Sequence, residues 1–310
     1  MPAIHCPVSN DSARLAVLLW GSASRLQTNF IEHVLAPVLQ EGGATDVYMG
    51  LTFERFSSWR GHADSFVADP DLFGSDMVHA DSHRVERILQ SRISRLGPCA
   101  RLRFFTAYDS IALDSDAEAW VKKSRWWNTA VRRNFLKLHF GMRLLWQKVV
   151  ELEQQTSTNY SHTMAFRDDT HWYGDLKIKR IITQNPSCVV SRRCLYTPYC
   201  GKMTPTRFGW IVDHILFMDR TLSAQFNDLY TTTLSSHVTE NVPNTGQFLA
   251  LLTKLLNVTL VELPQALLPY QRAGRIMNRS GSLQLCVHKR CWPGAPQHMA
   301  FPYCKALQGA

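Results

Sequence analysis

Apolar residues occur in two alternating patterns along the chain: short uninterrupted runs, and segments in which they recur every three or four positions. Residues 15–20 form the first run, which ends at Gly21 and is typical of a strand buried on both faces. Residues 29–40 have helical spacing, and residues 46–51 form a second run. A strand, a helix and a strand in this order predict a parallel pair joined by a right-handed crossover.

The alternation continues along most of the chain. Helical spacing is strongest over residues 134–155, where Phe135, Leu138, Met142 and Leu145 begin a long apolar stripe. Further helices are predicted over residues 82–96, 176–182, 222–229 and 245–257, and further strands over residues 100–107, 161–166, 188–191, 210–220 and 258–261. The sequence therefore predicts an α/β protein, a three-layer α/β/α Rossmann-like fold with a mostly parallel central sheet.

The periodic elements place one predicted domain over residues 15–263. Residues 1–14 are an N-terminal extension, and residues 264–310, in which Pro, Gly, Arg and Cys dominate, are predicted to wrap around the same domain. Polar residues with Gly and Pro over 52–75 predict a surface excursion, and residues 197–209 predict a loop. We find no internal repeat.

The composition excludes several classes of protein. A chain of 310 residues with 45% hydrophobic residues can bury about 75% of its unfolded surface, which excludes disordered and fibrous proteins. No run reaches the roughly 18 apolar residues of a membrane span, and the N-terminus has neither the basic nor the apolar region of a secretory signal. We expect no membrane span in this chain, and either a cytoplasmic protein or one whose targeting segment or anchor is missing.

The charge balance favours an anionic partner. Lysine and arginine number 34 and aspartate and glutamate 25, which gives a net charge of +9. The sign alone does not choose between a phosphate-bearing ligand, a nucleic acid and a membrane surface. The basic residues are interleaved with acids, and no RNP, KH, zinc-finger or helix-turn-helix motif occurs, so nucleic-acid binding is the least favoured function.

The cysteines and the glycosylation sequons bear on the compartment. The eight cysteines are Cys6, Cys99, Cys188, Cys194, Cys200, Cys286, Cys291 and Cys304, with no Cys-x-x-Cys among them. We therefore expect no zinc site. We interpret the cysteine clusters at 188–200 and 286–304 as disulfides that close loops (loop staples) in an oxidising compartment, or as free buried thiols. Asn-x-Ser/Thr sequons begin at Asn10, Asn159, Asn257 and Asn278. They favour a secretory lumen, whereas free cysteines would indicate the cytoplasm.

The candidate chemistry lies after the strand predicted over residues 161–166, which leads directly into Arg167, Asp168 and Asp169. Ligands of open α/β sheets bind beyond the carboxyl ends of the strands. Adjacent carboxylates suit Mg²⁺ or Mn²⁺, which also coordinate phosphate oxygens, and an arginine can clamp a phosphate or pair with Asp169. The alternative is that the acids form a turn or cap the next helix.

Four features in order carry a resemblance to a known family. They are Arg25 after the first strand, the tripeptide Arg167-Asp168-Asp169, Asp213 before the apolar residues 215–218, and His288 between Cys286 and Cys291. Together they resemble the GT-A-type nucleotide-sugar glycosyltransferases, in particular little-characterised eukaryotic members with Arg-Asp-Asp in place of Asp-x-Asp. The resemblance covers residues 15–290 as a pattern of elements, and its motifs are short.

The resemblance implies a donor site built from both ends of the chain. It would make Asp169 and His288 ligands of Mn²⁺ or Mg²⁺, with Asp168 beside them, and would place Arg25 and Arg167 at the donor diphosphate. The arginine at the first position of the motif replaces one acid of the usual pair, which leaves a metal-independent transferase open.

The resemblance also implies a reaction and its partners. Asp213 would be the general base that takes a proton from an acceptor hydroxyl, while the diphosphate leaves in a direct displacement. The partners would be a nucleotide-sugar donor and a glycan or protein acceptor, in a Golgi-like lumen.

Several alternatives stay open. Asp213 can instead pair with His214 or Arg220, and His288 can be a loop histidine beside a disulfide. The aromatic pairs at 126–127 and 172–173 are interpreted as core packing, with sugar stacking as the alternative. A non-catalytic carbohydrate- or protein-binding domain on the same fold is the main rival of the transferase.

Overall fold

The structure is a computed structural model that describes residues 6, 13–53, 72, 81–108, 111–124, 129–157, 159–168, 170–198, 215–235, 245–264, 266–277 and 283–287. The strands are β1 (Arg14–Ser22), β2 (Ala44–Thr52), β3 (Ala100–Tyr108), β4 (His162–Arg167), β5 (Thr170–Trp172), β6 (Cys194–Pro198), β7 (Ile215–Asp219), β8 (Thr259–Leu263), β9 (Tyr270–Met277) and β10 (Leu283–Val287). The helices are α1 (Ala36–Gln40), which continues a π-helical segment Ile31–Leu35, α2 (Ser82–Ser94), α3 (Ser115–Lys123), α4 (Thr129–Thr156), α5 (Ile178–Thr183), α6 (Pro186–Ser191), α7 (Arg220–Asn227), α8 (Leu229–Ser235) and α9 (Thr245–Leu255).

Within the described residues, seven strands form the central sheet in the order β3-β2-β1-β4-β7-β6-β8. Strands β1 to β4 pair in parallel, β6 pairs in parallel with β8, and β7 is antiparallel to both of its neighbours. The central sheet is therefore mostly parallel, and each of its described strands other than β7 points in one direction. A smaller sheet has the order β10-β9-β5.

Helices cover both faces of the central sheet, because its middle strands are apolar on both sides. Alternate residues of β1 enter two separate cores, with Leu15, Val17 and Leu19 in one and Leu18 and Trp20 in the other. The first core also contains apolar residues of α1 and α2, and the second those of α3, α4 and α7 to α9. The predicted three-layer α/β/α class is confirmed.

Among the described residues, most of the predicted helices and strands are confirmed, and one predicted strand is wrong. Residues 188–191 form the end of helix α6 instead of a strand. Pro186 occupies the first turn of this helix, where the missing N–H of proline is tolerated. Val189 and Val190 are exposed, and only Cys188 of this apolar run is buried.

Two regions contain strands that the apolar pattern did not indicate. Strand β6 occupies Cys194–Pro198 and so includes Thr197 and Pro198, and the tail contains β9 and β10. The loop predicted over residues 197–209 was therefore wrong at its first two residues, and residues 199–209 lie outside the described part of the chain. Strand β9 pairs with β5, which brings the tail back to the segment that follows β4. The predicted surface excursion at 52–75 lies almost entirely outside the described residues, and the domain boundary after residue 263 stays a prediction.

Two disulfides are present among the described residues. Cys188 pairs with Cys194, as the loop-staple interpretation of that cluster predicted. Cys6 pairs with Cys99, which ties the N-terminal extension to the turn before β3. No described helix is both long enough and apolar enough to span a membrane.

Candidate active site

The candidate site lies where the sheet order reverses. From β1 the chain continues to β2 and β3 on one side, whereas β4 lies on the other side of β1. In open α/β sheets such a switch point leaves a crevice between the loops that follow the two strands. Trp20 near the end of β1 is opposite Arg167 at the end of β4. The loops that carry Arg25 and Asp168 therefore begin side by side.

Asp168 joins these two loops. Its carboxylate accepts hydrogen bonds from the Ser22 N–H at 2.9 Å and from the Arg25 guanidinium at 2.7 Å (Nε) and 3.0 Å (Nη2). Its backbone carbonyl accepts from the N–H of Gln27 at 3.2 Å. The residue is only 1% exposed, so the ion pair is largely shielded from water. Asp168 therefore holds the loop after β1 against the end of β4.

Gly21 makes room for this carboxylate. A Cβ atom at position 21 would lie 2.2 Å from Cγ of Asp168, far inside van der Waals contact. Glycine is thus the residue that lets the backbone of β1 approach Asp168. The sequence contained this feature only as the end of the first apolar run.

Polar side chains extend the connection beyond Asp168. Nδ1 of His171 lies 3.2 Å from Oε1 of Gln27 and 3.1 Å from Nδ2 of Asn29. The amide of Asn29 also donates to the backbone carbonyl of Trp172. One ring nitrogen cannot donate to Gln27 and accept from Asn29 at the same time, so the tautomer of His171 selects one of these partners. Sequence reasoning missed this group, because amides carry no pattern of their own.

The environment of His171 keeps its imidazole neutral. Burial, followed by the charge of nearby His33, lowers the pKa of His171 to about 4. His33 is itself paired with Asp175, at 2.9 Å between Nδ1 and Oδ1, and this hydrogen bond lowers the pKa of Asp175. A neutral His171 can donate or accept a hydrogen bond at physiological pH.

The structure brings two of the six predicted site residues into direct contact, Arg25 and Asp168. Arg167 is half-buried at the end of β4, one residue before Asp168. The other three lie outside the described residues, so their predicted roles stay predictions: Asp169, Asp213 and His288. Among the residues that the structure describes, no group of three His, Cys, Asp or Glu side chains is arranged to hold a metal ion.

Two of the open alternatives can be compared with the structure. Trp172 is fully buried, 6.0 Å from the ring of Phe166, so its interpretation as core packing is confirmed. Arg220, one suggested partner of Asp213, forms an ion pair with Glu153 and stacks on Trp146 with 4.3 Å between the guanidinium carbon and the ring centroid.

Comparison with known proteins gives no family. No protein-family model matches the chain, and no curated protein matches it. Among solved structures, the chain aligns with the glycosyltransferase GlyE of Streptococcus pneumoniae TIGR4 at 9% identity and a TM-score of 0.36, over 81% of this chain and 45% of that one. It aligns with mouse xyloside xylosyltransferase 1 in its apo form at 7% identity and a TM-score of 0.38, over 81% and 85%. At such TM-scores neither alignment carries an argument about this chain.

Proposed function

We propose that the crevice after β1 and β4 binds the diphosphate of a nucleotide sugar, and that the chain transfers the sugar to a hydroxyl of a glycan or protein acceptor. The observation that carries the proposal is the Arg25–Asp168 ion pair at the switch point of the sheet, next to Arg167. It supports a preformed loop after β1 that is held against the end of β4, where ligands of open α/β sheets bind.

In this proposal the residues of the crevice have different roles. Arg167 and the loop that carries Arg25 balance the charge of the diphosphate, and Asp168 sets the position of that loop. Asp213 takes the proton from the acceptor hydroxyl as the oxygen attacks the anomeric carbon, and the nucleoside diphosphate leaves with the bonding electrons. A secretory, Golgi-like lumen, in keeping with the two disulfides, would supply both substrates.

In this proposal, Asp169 and His288 are the residues that would bind a divalent cation. Asp168 does not fit a metal ligand, because both of its oxygens accept hydrogen bonds and an arginine guanidinium lies against them. The proton transfer to Asp213 and the departure of the diphosphate are therefore proposed without a cation. Mn²⁺ or Mg²⁺, if held by Asp169 and His288, would add positive charge at the leaving diphosphate.

A binding domain without turnover is the second candidate function. The observation that favours it is the same ion pair, since an acid of the central motif is buried against an arginine and is not presented to a ligand. Such a domain would retain affinity for a sugar or nucleotide in the crevice and would not cleave the donor.

A donor screen separates these functions. We expect hydrolysis of at least one nucleotide sugar, measured with and without Mn²⁺, and a loss of about 100-fold or more in Asp169→Ala and in Asp213→Asn. Glu151→Ala, which removes an exposed acid on α4, is the control and should keep full activity. Binding of a donor without hydrolysis would support the second candidate. Absence of both binding and hydrolysis for every donor would reject the crevice as a donor site.

A binding measurement tests the phosphate part of the proposal separately. Titration calorimetry with nucleoside diphosphates should show roughly ten-fold weaker binding for Arg167→Ala, equivalent to about 1.4 kcal/mol. Arg180→Ala removes an exposed arginine of α5 and serves as the charge-matched control. Equal weakening by both variants would indicate a general effect of net charge and would contradict a phosphate site at Arg167.

A further inference from the structure

Two of the four glycosylation sequons lie within the described residues. They are Asn159-Tyr160-Ser161 and Asn257-Val258-Thr259. In both, the asparagine and the hydroxyl residue two positions later are exposed, while Tyr160 is buried. No described side chain hydrogen-bonds to either asparagine amide. Both acceptor amides therefore face solvent in the folded chain.

Each asparagine lies in a turn between a helix and a strand, held in place by its neighbours. Asn159 separates α4 from β4, and the next residue, Tyr160, is anchored by its hydroxyl to Asp46 at 2.7 Å and by its N–H to Glu153 at 3.1 Å. Asn257 separates α9 from β8 and has a left-handed backbone with φ of 50°, which asparagine tolerates better than most residues. Short turns thus present both amides outward.

Both turns lie at the amino edge of the central sheet. Strands β4 and β8 point in the same direction, because β4 and β6 are each antiparallel to β7 and β6 is parallel to β8. The switch point with Arg25 and Asp168 lies at the carboxyl edge. The six residues of β4 separate the two edges by roughly 17 Å at a rise of about 3.3 Å per residue. A glycan on either asparagine would leave the crevice open.

We infer that Asn159 and Asn257 are acceptors of N-linked glycans. Disulfides such as Cys6–Cys99 and Cys188–Cys194 are typical of an oxidising compartment, and N-linked glycans are added in such a compartment. In the reaction the asparagine amide nitrogen loses a proton and bonds to the anomeric carbon of an oligosaccharide, and the polyprenyl diphosphate that carried the oligosaccharide leaves. The inference does not depend on the proposed transferase activity.

Site mapping of the secreted chain tests this inference. The full chain is secreted from animal cells behind a cleavable signal peptide and treated with a peptide N-glycosidase, which converts each glycosylated asparagine to aspartate. We expect peptide mass mapping to find aspartate at both positions in more than half of the molecules. Asparagine retained in most molecules at either position overturns the assignment of that position.

Sequon variants provide the matched controls. Thr259→Ala should abolish modification of Asn257, whereas Thr259→Ser, which retains a hydroxyl, should preserve it. Asn159→Gln should lower the intact mass by one glycan and leave Asn257 modified. Mapping of the wild-type chain shows by itself whether Asn159 and Asn257 are glycosylated. The test therefore does not depend on whether the variants fold.

Discussion

At the scale of single residues, the environment of Asp168 decides what its carboxylate can do. An aspartate after a strand end can bind a cation, cap a helix or pair with a base. Here Gly21 lets the backbone approach, and Ser22 and Arg25 take up both oxygens. Asp168 is thus tied to the loop after β1, and a substitution there should first affect stability.

Replacing Asp168 by asparagine should destabilise the fold. The amide keeps an acceptor for the Ser22 N–H, but the charge that pairs with Arg25 is lost in a buried position. We expect the free energy of unfolding in urea to fall by roughly 2–4 kcal/mol. Glu118→Gln, which removes the partner of the exposed Arg133, should change little because water screens that pair. Unchanged stability of Asp168→Asn would show that the ion pair is not structural.

His171 should make the fold sensitive to acid. Its pKa is about 4 in the folded chain and 6.5 without perturbation, so between these values the unfolded chain binds more protons. The contribution of His171 to the free energy of unfolding is therefore complete above pH 6.5. It is lost as the pH falls to 4, and the loss is at most roughly 3 kcal/mol.

Unfolding measured between pH 4 and 7 tests this linkage. His171→Gln should flatten the pH dependence in that window, because glutamine does not titrate. His83→Gln, which replaces an exposed histidine of α2, should leave the slope as in the wild type. Identical slopes for wild type and His171→Gln would contradict a buried neutral imidazole.

At the scale of elements, two glycines set how closely α4 packs on the sheet. Trp20 of β1 lies between Gly50 of β2 and Gly141 of α4, where added Cβ atoms would come within 2.1 and 2.0 Å of its indole. The indole is 2% exposed and therefore has no route to move into solvent. The long helix thus rests on the sheet through a tryptophan that only glycine can accommodate.

Gly141→Ala should destabilise the fold, although the same substitution usually stabilises a helix. Alanine has a helix propensity about 1 kcal/mol better than glycine, yet here its methyl group collides with Trp20. We expect a net loss of about 1–3 kcal/mol in the free energy of unfolding. Trp20→Leu in the same chain should make the alanine neutral or favourable. A stabilised Gly141→Ala single variant would show that the contact relaxes freely.

At the scale of the whole molecule, the two disulfides constrain very different lengths of chain. Cys6–Cys99 spans a sequence separation of 93 residues and joins the N-terminal extension to the turn before β3. Cys188–Cys194 spans a separation of 6 and closes only the connection between α6 and β6. The first therefore restricts the unfolded chain far more than the second.

Removing each disulfide should reveal this difference in loop length. From loop entropy we expect the double variant Cys6→Ala with Cys99→Ala to lose about 4–5 kcal/mol, and Cys188→Ala with Cys194→Ala about 2 kcal/mol. Equilibrium unfolding of the two double variants compares them under the same conditions. A larger loss from the short loop would mean that local packing outweighs chain entropy.

The fold class and most elements were accessible from the sequence, because the periods of apolar residues are local properties of strands and helices. The shared location of Arg25 and Asp168 was accessible too, since parallel strands end at one edge of a sheet. The failure at residues 188–191 has a physical cause. An apolar run shows that a strand or helix is possible, but burial depends on residues far away in the chain, and Val189 and Val190 remain exposed.

Contacts between distant residues were decided only by the tertiary structure. No local pattern indicates that Thr170 pairs with Arg272, or that Gly141 must accommodate Trp20. The same holds for the carboxylate of Asp168. The sequence predicts that Asp168 follows a strand. Its enclosure by Gly21, Ser22 and Arg25, in contrast, arises only when β1 and β4 pair in the folded chain. Local order follows from neighbouring residues, whereas the hydrogen-bond partners of a buried acid are groups that only folding brings together.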